Sequence, residues 1–262
     1  MYKITCIHPT CRPEMARRTR SKWLKLCDNS KRVEYITCFD SKNKNELLIR
    51  KKKRKNIIEL YENYSFGIVK KCNFAANFAT SNCIIVATDD TIPEKGWDTK
   101  ILHSIDWSKE IVLNVSDGTE SVDQRPYMVK TVIMSKKRYK NLGYILHPDF
   151  KHVYCDNFHS WISHRDNVVL DRKNILFEHF HPSLGKSDPD EFYINASTLE
   201  EYIKGQKIFQ RLTKENLTSI MLKNLVVKYK NEINPILKDS LAFVILAATG
   251  KLEKDLTKLK FK

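Results

Sequence analysis

The sequence predicts an α/β fold, a mostly parallel sheet flanked by helices, followed by a C-terminal helical extension. Three observations predict it. A strand, a helix and a second strand follow one another within about forty residues at the start, as in a βαβ unit with a parallel pair. The apolar, β-branched run Cys83-Ile84-Ile85-Val86-Ala87 has the length and composition of a buried strand. From about Thr198 the pattern becomes helical and basic.

Length and composition set the bounds. With 262 residues, 42% of them hydrophobic and 10% aromatic, the chain can bury a sizeable core and is not a disordered protein. Its 46 basic and 31 acidic residues give a net charge of +15, and residues 1–60 carry 17 − 6 = +11 of it. That excess favours anionic partners: nucleotide phosphates, nucleic acid or an acidic membrane face. The seven cysteines are odd in number and form no CxxC pair, which argues against a disulfide or zinc framework and for a reducing compartment. The first residues enter a strand pattern directly, so no signal peptide is expected. The apolar stretch Leu241–Ala248 is too short to span a bilayer. A cytoplasmic protein is expected, soluble or peripheral at the inner membrane face.

The elements follow in order. Residues 2–8 (YKITCIH) read as the first strand, leading into His8-Pro9-Thr10-Cys11-Arg12-Pro13. Pro13 and Glu14 suit a helix start, and Met15, Trp23, Leu24 and Leu26 supply its apolar face. Val33–Phe39 is a second strand ending in Asp40. Thr10, Arg12 and Asp40 should then share one edge of the sheet, where Arg12 suits a phosphate and Asp40 a base or ribose hydroxyl. Ser41–Asn56 is a polar stretch whose block Arg50–Lys55 reads first as a solvated loop or helix face. Ile57–Tyr61 and Ser65–Val69 read as short strands, and Asn73–Ser81 as a small-residue helix.

The central strand ends in Asp89-Asp90, followed by a turn with Pro93 and Gly96. Two adjacent carboxylates repel unless something positive lies between them. A divalent cation is the usual solution, because Mg²⁺ or Mn²⁺ takes carboxylate oxygens together with substrate phosphates. Next come a helix at Gly96–Ile105 with Trp97 in the core, a strand at Glu110–Val115 and an edge strand within Arg125–Ser135 that starts at Pro126. Lys136–Leu142 is a short basic helix, and Phe158–Arg165 a helix for which Asp156 suits the N-cap. Short apolar runs at Val168–Leu170 and Ile175–Phe177 lead to Glu178-His179-Phe180-His181-Pro182. His-x-His on an extended segment puts both imidazoles on one face, where either could supply nitrogen to a metal. Leu199–Leu212, Leu217–Tyr229 and Pro235–Ala248 are three helices.

Taken in order, HPTCRP, Phe39-Asp40, Asn73 in its alanine-rich helix, VATDDTIPEKGWD, Val115-Ser116-Asp117-Gly118, Tyr154-Cys155-Asp156-Asn157 and FEHFHP with Gly185-Lys186 resemble the nucleotide-sugar glycosyltransferases of the GT-A fold, family-2 type. The resemblance covers roughly residues 2–195. It implies a catalytic domain over 1–195 and a basic helical extension over 196–262. It implies a UDP-sugar as the foremost donor, Mn²⁺ or Mg²⁺ as cofactor, and a saccharide or lipid-linked acceptor. A nucleic-acid acceptor has no support beyond charge. The resemblance also assigns Thr10, Arg12, Asp40, Asn73 and Asp89 to the donor, Asp90 with His179 or His181 to the metal, and Asp156 to the acceptor as general base of an inverting reaction. Thr88 stands where the family's first motif acid would be. Two other readings compete. A nucleotidyltransferase would carry a glycine-rich loop after the first strand, and HPTCRP has no glycine. A basic nucleic-acid-binding module would show steeply salt-dependent binding without turnover.

Overall fold

The computed structural model describes residues 3–40, 48–51, 56–62, 67–120, 125–180, 182, 185–196 and 198–251. Strands β1 (Ile4–Pro9) and β2 (Val33–Asp40) pair in parallel with Ile4 opposite Val33, and α1 (Pro13–Leu26) makes the crossover. The predicted βαβ unit is therefore present. In α1 the buried residues Ala16, Thr19, Trp23 and Leu24 recur at helical spacing, while Met15 stays exposed. β3 (Leu48–Lys51) and β4 (Ile57–Glu62) extend the sheet beyond β2, and β5 (Cys83–Val86) lies in parallel on the other side of β1. With β6 (Thr91–Pro93), β7 (Val112–Ser116), β8 (Ile133–Ser135) and β9 (Val169–His179), the described strands run in the order β3-β4-β2-β1-β5-β8-β7-β9-β6. The block β4-β2-β1-β5 is parallel. β8 runs antiparallel between β5 and β7, so the sheet as a whole is mixed.

Side chains alternate across these strands and build a core on each face. On one face Cys6, Tyr35, Ile85 and Leu113 meet Trp23, Trp97 and Phe177, with the two tryptophans 5.3 Å apart edge to face. Trp97 begins α3 (Trp97–Leu102) and is fully buried, as expected of a core residue. The other face is covered by α2 (Gly67–Ala76), α5 (Cys155–Arg165), α7 (Leu199–Glu215) and α9 (Pro235–Ala248). There Ile7, Ile36 and Ile84 share one apolar cluster with Phe209, Leu212, Phe243, Val244 and Ala247 from the last helices. The Trp161 indole N–H donates to the Val244 carbonyl at 3.1 Å, which ties α5 to α9. α4 (Lys136–Leu142), α6 (Glu191–Ala196) and α8 (Ser219–Asn231) complete the helices, α8 lying against α9.

Several expected elements differ. Gly67–Val69 opens α2 instead of ending a strand, and residues 65 and 66 lie outside the described set. α2 ends at Ala76, so the helix expected over Asn73–Ser81 sits earlier in the chain. Of the strand expected within Arg125–Ser135 only β8 forms, and it lies inside the sheet. Met128, Val129 and Val132 are buried in irregular backbone, where the Ser160 hydroxyl accepts the Val129 N–H at 2.9 Å. A buried apolar run reads like a strand whether or not it joins a ladder. The two runs around 168–177 form one long strand, β9, with a shift of register against β7 after Val115. Within the polar stretch 41–56, Leu48–Lys51 forms the edge strand β3, and residues 52–55 of the basic block lie outside the described set.

α5 also carries an acid sensitivity. His159 is buried, its Nε2 has no hydrogen-bond partner, and burial with the nearby Arg138 charge holds its imidazole down at about 3. The unfolded chain takes up a proton near pH 6.5 that the folded chain refuses, so stability is lost as pH falls from about 6.5 toward 3. Two pH units below 6.5 this amounts to roughly 3 kcal/mol. His159→Gln should flatten the decline of melting temperature between pH 6.5 and 4.5. An unchanged decline would place the acid sensitivity elsewhere.

Candidate functional site

The carboxyl ends of β1, β2, β5, β7 and β9 converge on one edge of the sheet, and the acidic pair lies among them. The two acids have different surroundings. Asp89 is buried: Thr10 Oγ1 donates to both its oxygens (3.0 and 2.9 Å), His8 Nε2 lies 2.9 Å from Oδ1 and Arg12 Nη1 3.4 Å from Oδ2. With Asp89 ionised, His8 Nε2–H donates, which leaves Nδ1 to accept the Tyr35 hydroxyl at 2.8 Å. The Asp89 carbonyl accepts from Thr19 of α1 at 2.7 Å. Asp89 thus fastens the loop after β1 to the end of β5.

Asp90 points the other way. One of its oxygens accepts the Thr88 hydroxyl at 2.8 Å and the other lies 3.3 Å from His179 Nε2. The strand register sets this pair: Thr91 of β6 lies opposite His179 of β9, the Phe180 N–H donates to the Asp90 carbonyl, and the His179 N–H donates to the Asp117 carbonyl. Burial pushes the Asp90 carboxyl up, but His179 and the Thr88 hydroxyl outweigh it and hold it at about 2. A carboxylate oxygen and an imidazole nitrogen, both partly open to solvent, thus face each other at the sheet edge. Among the described residues no cluster of three or more His, Cys, Asp or Glu could hold a metal ion. Two protein donors still fit Mn²⁺ or Mg²⁺, ions that fill their remaining positions with phosphate oxygens and water. His181, the other candidate, lies outside the described residues.

Three of the other expected residues connect to Asp89: Thr10 and Arg12 directly, and Asp40 through Lys71 and Thr10. Asp40 at the end of β2 is 2.5 Å from the ammonium of Lys71, a nearly buried lysine of α2 that also donates to the Thr10 carbonyl at 3.2 Å. Arg12 forms a two-pronged pair with Asp190, Nε to Oδ2 at 2.5 Å and Nη2 to Oδ1 at 2.6 Å. Thr10, Arg12, Asp40 and Asp89 are therefore joined by direct contacts or through Lys71. Asn73 is not joined to them by any hydrogen bond described: its amide accepts from the Ile145 and Leu146 N–H groups and donates to the Leu146 carbonyl.

Asp156 lies in the first turn of α5 and is not its N-cap. Tyr154 takes that place with φ 66°, so the helix begins one residue before Asp156, whose carboxylate accepts the Asn157 N–H at 2.9 Å. Two glycines clamp the turn that aims it. A Cβ at Gly67 would stand 2.6 Å from the Lys151 carbonyl oxygen, and one at Gly205 would stand 2.9 Å from the Val153 carbonyl oxygen. His152, in the same turn, has its imidazole lowered chiefly by burial, with the Asp156 charge raising it and the Arg12 charge lowering it.

Four residues of this arrangement carried no signal in the sequence. His8 and Tyr35 lie in stretches that read as strands, and no expectation attached to Lys71 or Asp190. Their partners lie 81, 27, 61 and 178 residues away, distances over which no local pattern speaks.

No protein-family model and no curated protein sequence matches the chain. Solved structures do. Staphylococcus aureus TarS superposes over 99% of this chain and 46% of its own at 14% identity, with a TM-score of 0.59, so the present chain spans less than half of that protein. The TarS segment 1–349, solved with UDP-GlcNAc, matches over 99% of this chain and 93% of its own at 15% identity and a TM-score of 0.55. The mannosyltransferase PcManGT of Pyrobaculum calidifontis, solved with GDP-Man and Mn²⁺, matches over 100% and 77% at 10% identity and a TM-score of 0.53. The fold is thus the GT-A-like fold of nucleotide-sugar glycosyltransferases, as the ordered motifs implied. No helix among the described residues is long and apolar enough to cross a membrane.

Proposed function

We propose that the chain is a glycosyltransferase that moves a sugar from a nucleoside-diphosphate donor, a UDP-sugar foremost, to an acceptor hydroxyl of a saccharide or lipid-linked molecule. The observation that carries this reading is the Asp90–His179 pair, set by the β6–β9 register at the carboxyl edge of a GT-A-like sheet. Asp90 and His179 would hold Mn²⁺ or Mg²⁺. When bound, the divalent ion neutralises the charge that develops on the leaving diphosphate. PcManGT with GDP-Man and Mn²⁺ and TarS with UDP-GlcNAc support the same class of ligands on this fold.

The chain's own residues supply the rest. Asp40, held by Lys71 at the end of β2, faces the base. Thr10 and Arg12 shape the loop over the nucleotide, with Asp89 fixing that loop from beneath. Asp156 takes the proton from the acceptor hydroxyl as its oxygen attacks the anomeric carbon, and the nucleoside diphosphate departs on the opposite side, inverting that centre.

Thermal melting against UDP-GlcNAc, GDP-Man, UDP and GDP, each with and without Mn²⁺, tests the reading. A donor at about 100 times its Kd adds roughly 2.7 kcal/mol, a rise of about 5–10 °C for a chain of this size. A Mn²⁺-dependent rise with one base is expected. The absence of any rise across the panel would overturn the assignment.

A further inference from the structure

We propose that Asp190 occupies the guanidinium of Arg12 in the place of the donor's diphosphate, so that the two anions compete and Asp190 sets donor affinity. This rests on the donor site proposed above. Arg12 is the one cation of the loop after β1, and its fork is filled by two carboxylates of opposite character. Asp89 approaches Nη1 at 3.4 Å with its side chain 6% exposed, and it is held in addition by His8 and Thr10. Asp190 takes Nε and Nη2 at 2.5 and 2.6 Å with its side chain 45% exposed. The parallel two-pronged geometry it adopts is the one a phosphate adopts on arginine. Asp89 is thus the fixed partner and Asp190 the exchangeable one.

The chain around Asp190 is suited to exchange. Asp190 opens α6: its Oδ1 accepts the Tyr193 N–H at 2.9 Å and its carbonyl accepts the Ile194 N–H at 3.0 Å. The carboxylate therefore keeps a helix-start partner when Arg12 turns to a phosphate. An exposed ion pair is also weak enough to yield. Its loss should change donor affinity by roughly three- to fivefold, whereas a diphosphate brings more charge to the same fork.

Asp190→Asn tests this, because the amide oxygen still accepts the Tyr193 N–H while the competing charge is gone. Titration of UDP and of GDP in the presence of Mn²⁺ should give a Kd roughly three- to fivefold lower than in the wild-type protein for the nucleotide that binds. In an Arg12→Gln background the same substitution should leave Kd unchanged, since the shared guanidinium is gone. An unchanged or raised Kd in Asp190→Asn would overturn the proposal and leave the donor site standing. An equal gain in the Arg12→Gln background would also overturn it, reducing the effect to general charge. If neither nucleotide binds the wild-type protein or the variant, the donor site itself falls and this inference with it.

Discussion

Asp90→Asn should lower sugar transfer by at least about 10²–10³-fold while the protein melts within a few degrees of the wild type. The two halves of that expectation come from the same geometry. Asparagine has the shape of aspartate and its amide oxygen still accepts the Thr88 hydroxyl, so the β5–β6 turn keeps its main tether. What disappears is the negative charge facing His179, and with it the anionic oxygen that would hold a divalent ion. Nucleotide release from the donor that shifts the melting point is the assay, run beside the melting curve. Full turnover in this variant would falsify the assignment of Asp90. A collapsed melting point would mean that Asp90 is structural and that the wrong acid has been chosen.

Asp89→Ala should do the reverse, costing about 3–5 kcal/mol of stability and lowering the melting temperature by roughly 10 °C or more. Removing one member of a buried charged cluster leaves its partners stranded. Here they are the fully buried His8, the nearly buried Thr10 and one edge of Arg12. The Tyr35 hydroxyl loses its place as well, because the His8 ring is oriented from the Asp89 side. A melting temperature unchanged from the wild type would refute this reading. Adjacent acids in one motif are thus expected to fail in different ways, one in stability and the other in chemistry. Chemical denaturation of both variants on one scale separates them.

That division was out of reach of the sequence. The motif itself was legible because an apolar strand ending in two acids is a sharp change of chemistry, and β1, β2, β5 and β7 were legible for the same reason. Which acid faces inward depends on Thr10 and His8, about eighty residues earlier. Which faces the open edge depends on His179, about ninety residues later, and on a pairing of β6 with β9 that no local pattern encodes. Arg125–Ser135 misled because apolar residues buried beneath α5 look the same as residues paired in a ladder. Asp156 misled because the positive φ at Tyr154 starts the helix early, and nothing about a tyrosine announces a left-handed turn. His179 was legible from its spacing to His181, and the resemblance had already set Asp90 beside one of the two; the direct contact is with His179.

The placement of the last helices also bears on how the chain is made. Ile7, near its beginning, shares an apolar cluster with Phe243, Val244 and Ala247, near the end of the described residues. During synthesis the sheet can assemble long before α9 exists, and until then the apolar residues that α9 packs on, Trp161 of α5 and Phe209 of α7 among them, lack that cover. A nascent chain in that condition has a sticky surface for as long as the ribosome takes to add the remaining turns, at about 5–20 residues per second. For this protein the burden falls on whatever shields that surface in the interval, and slow translation through α8 would lengthen the exposure.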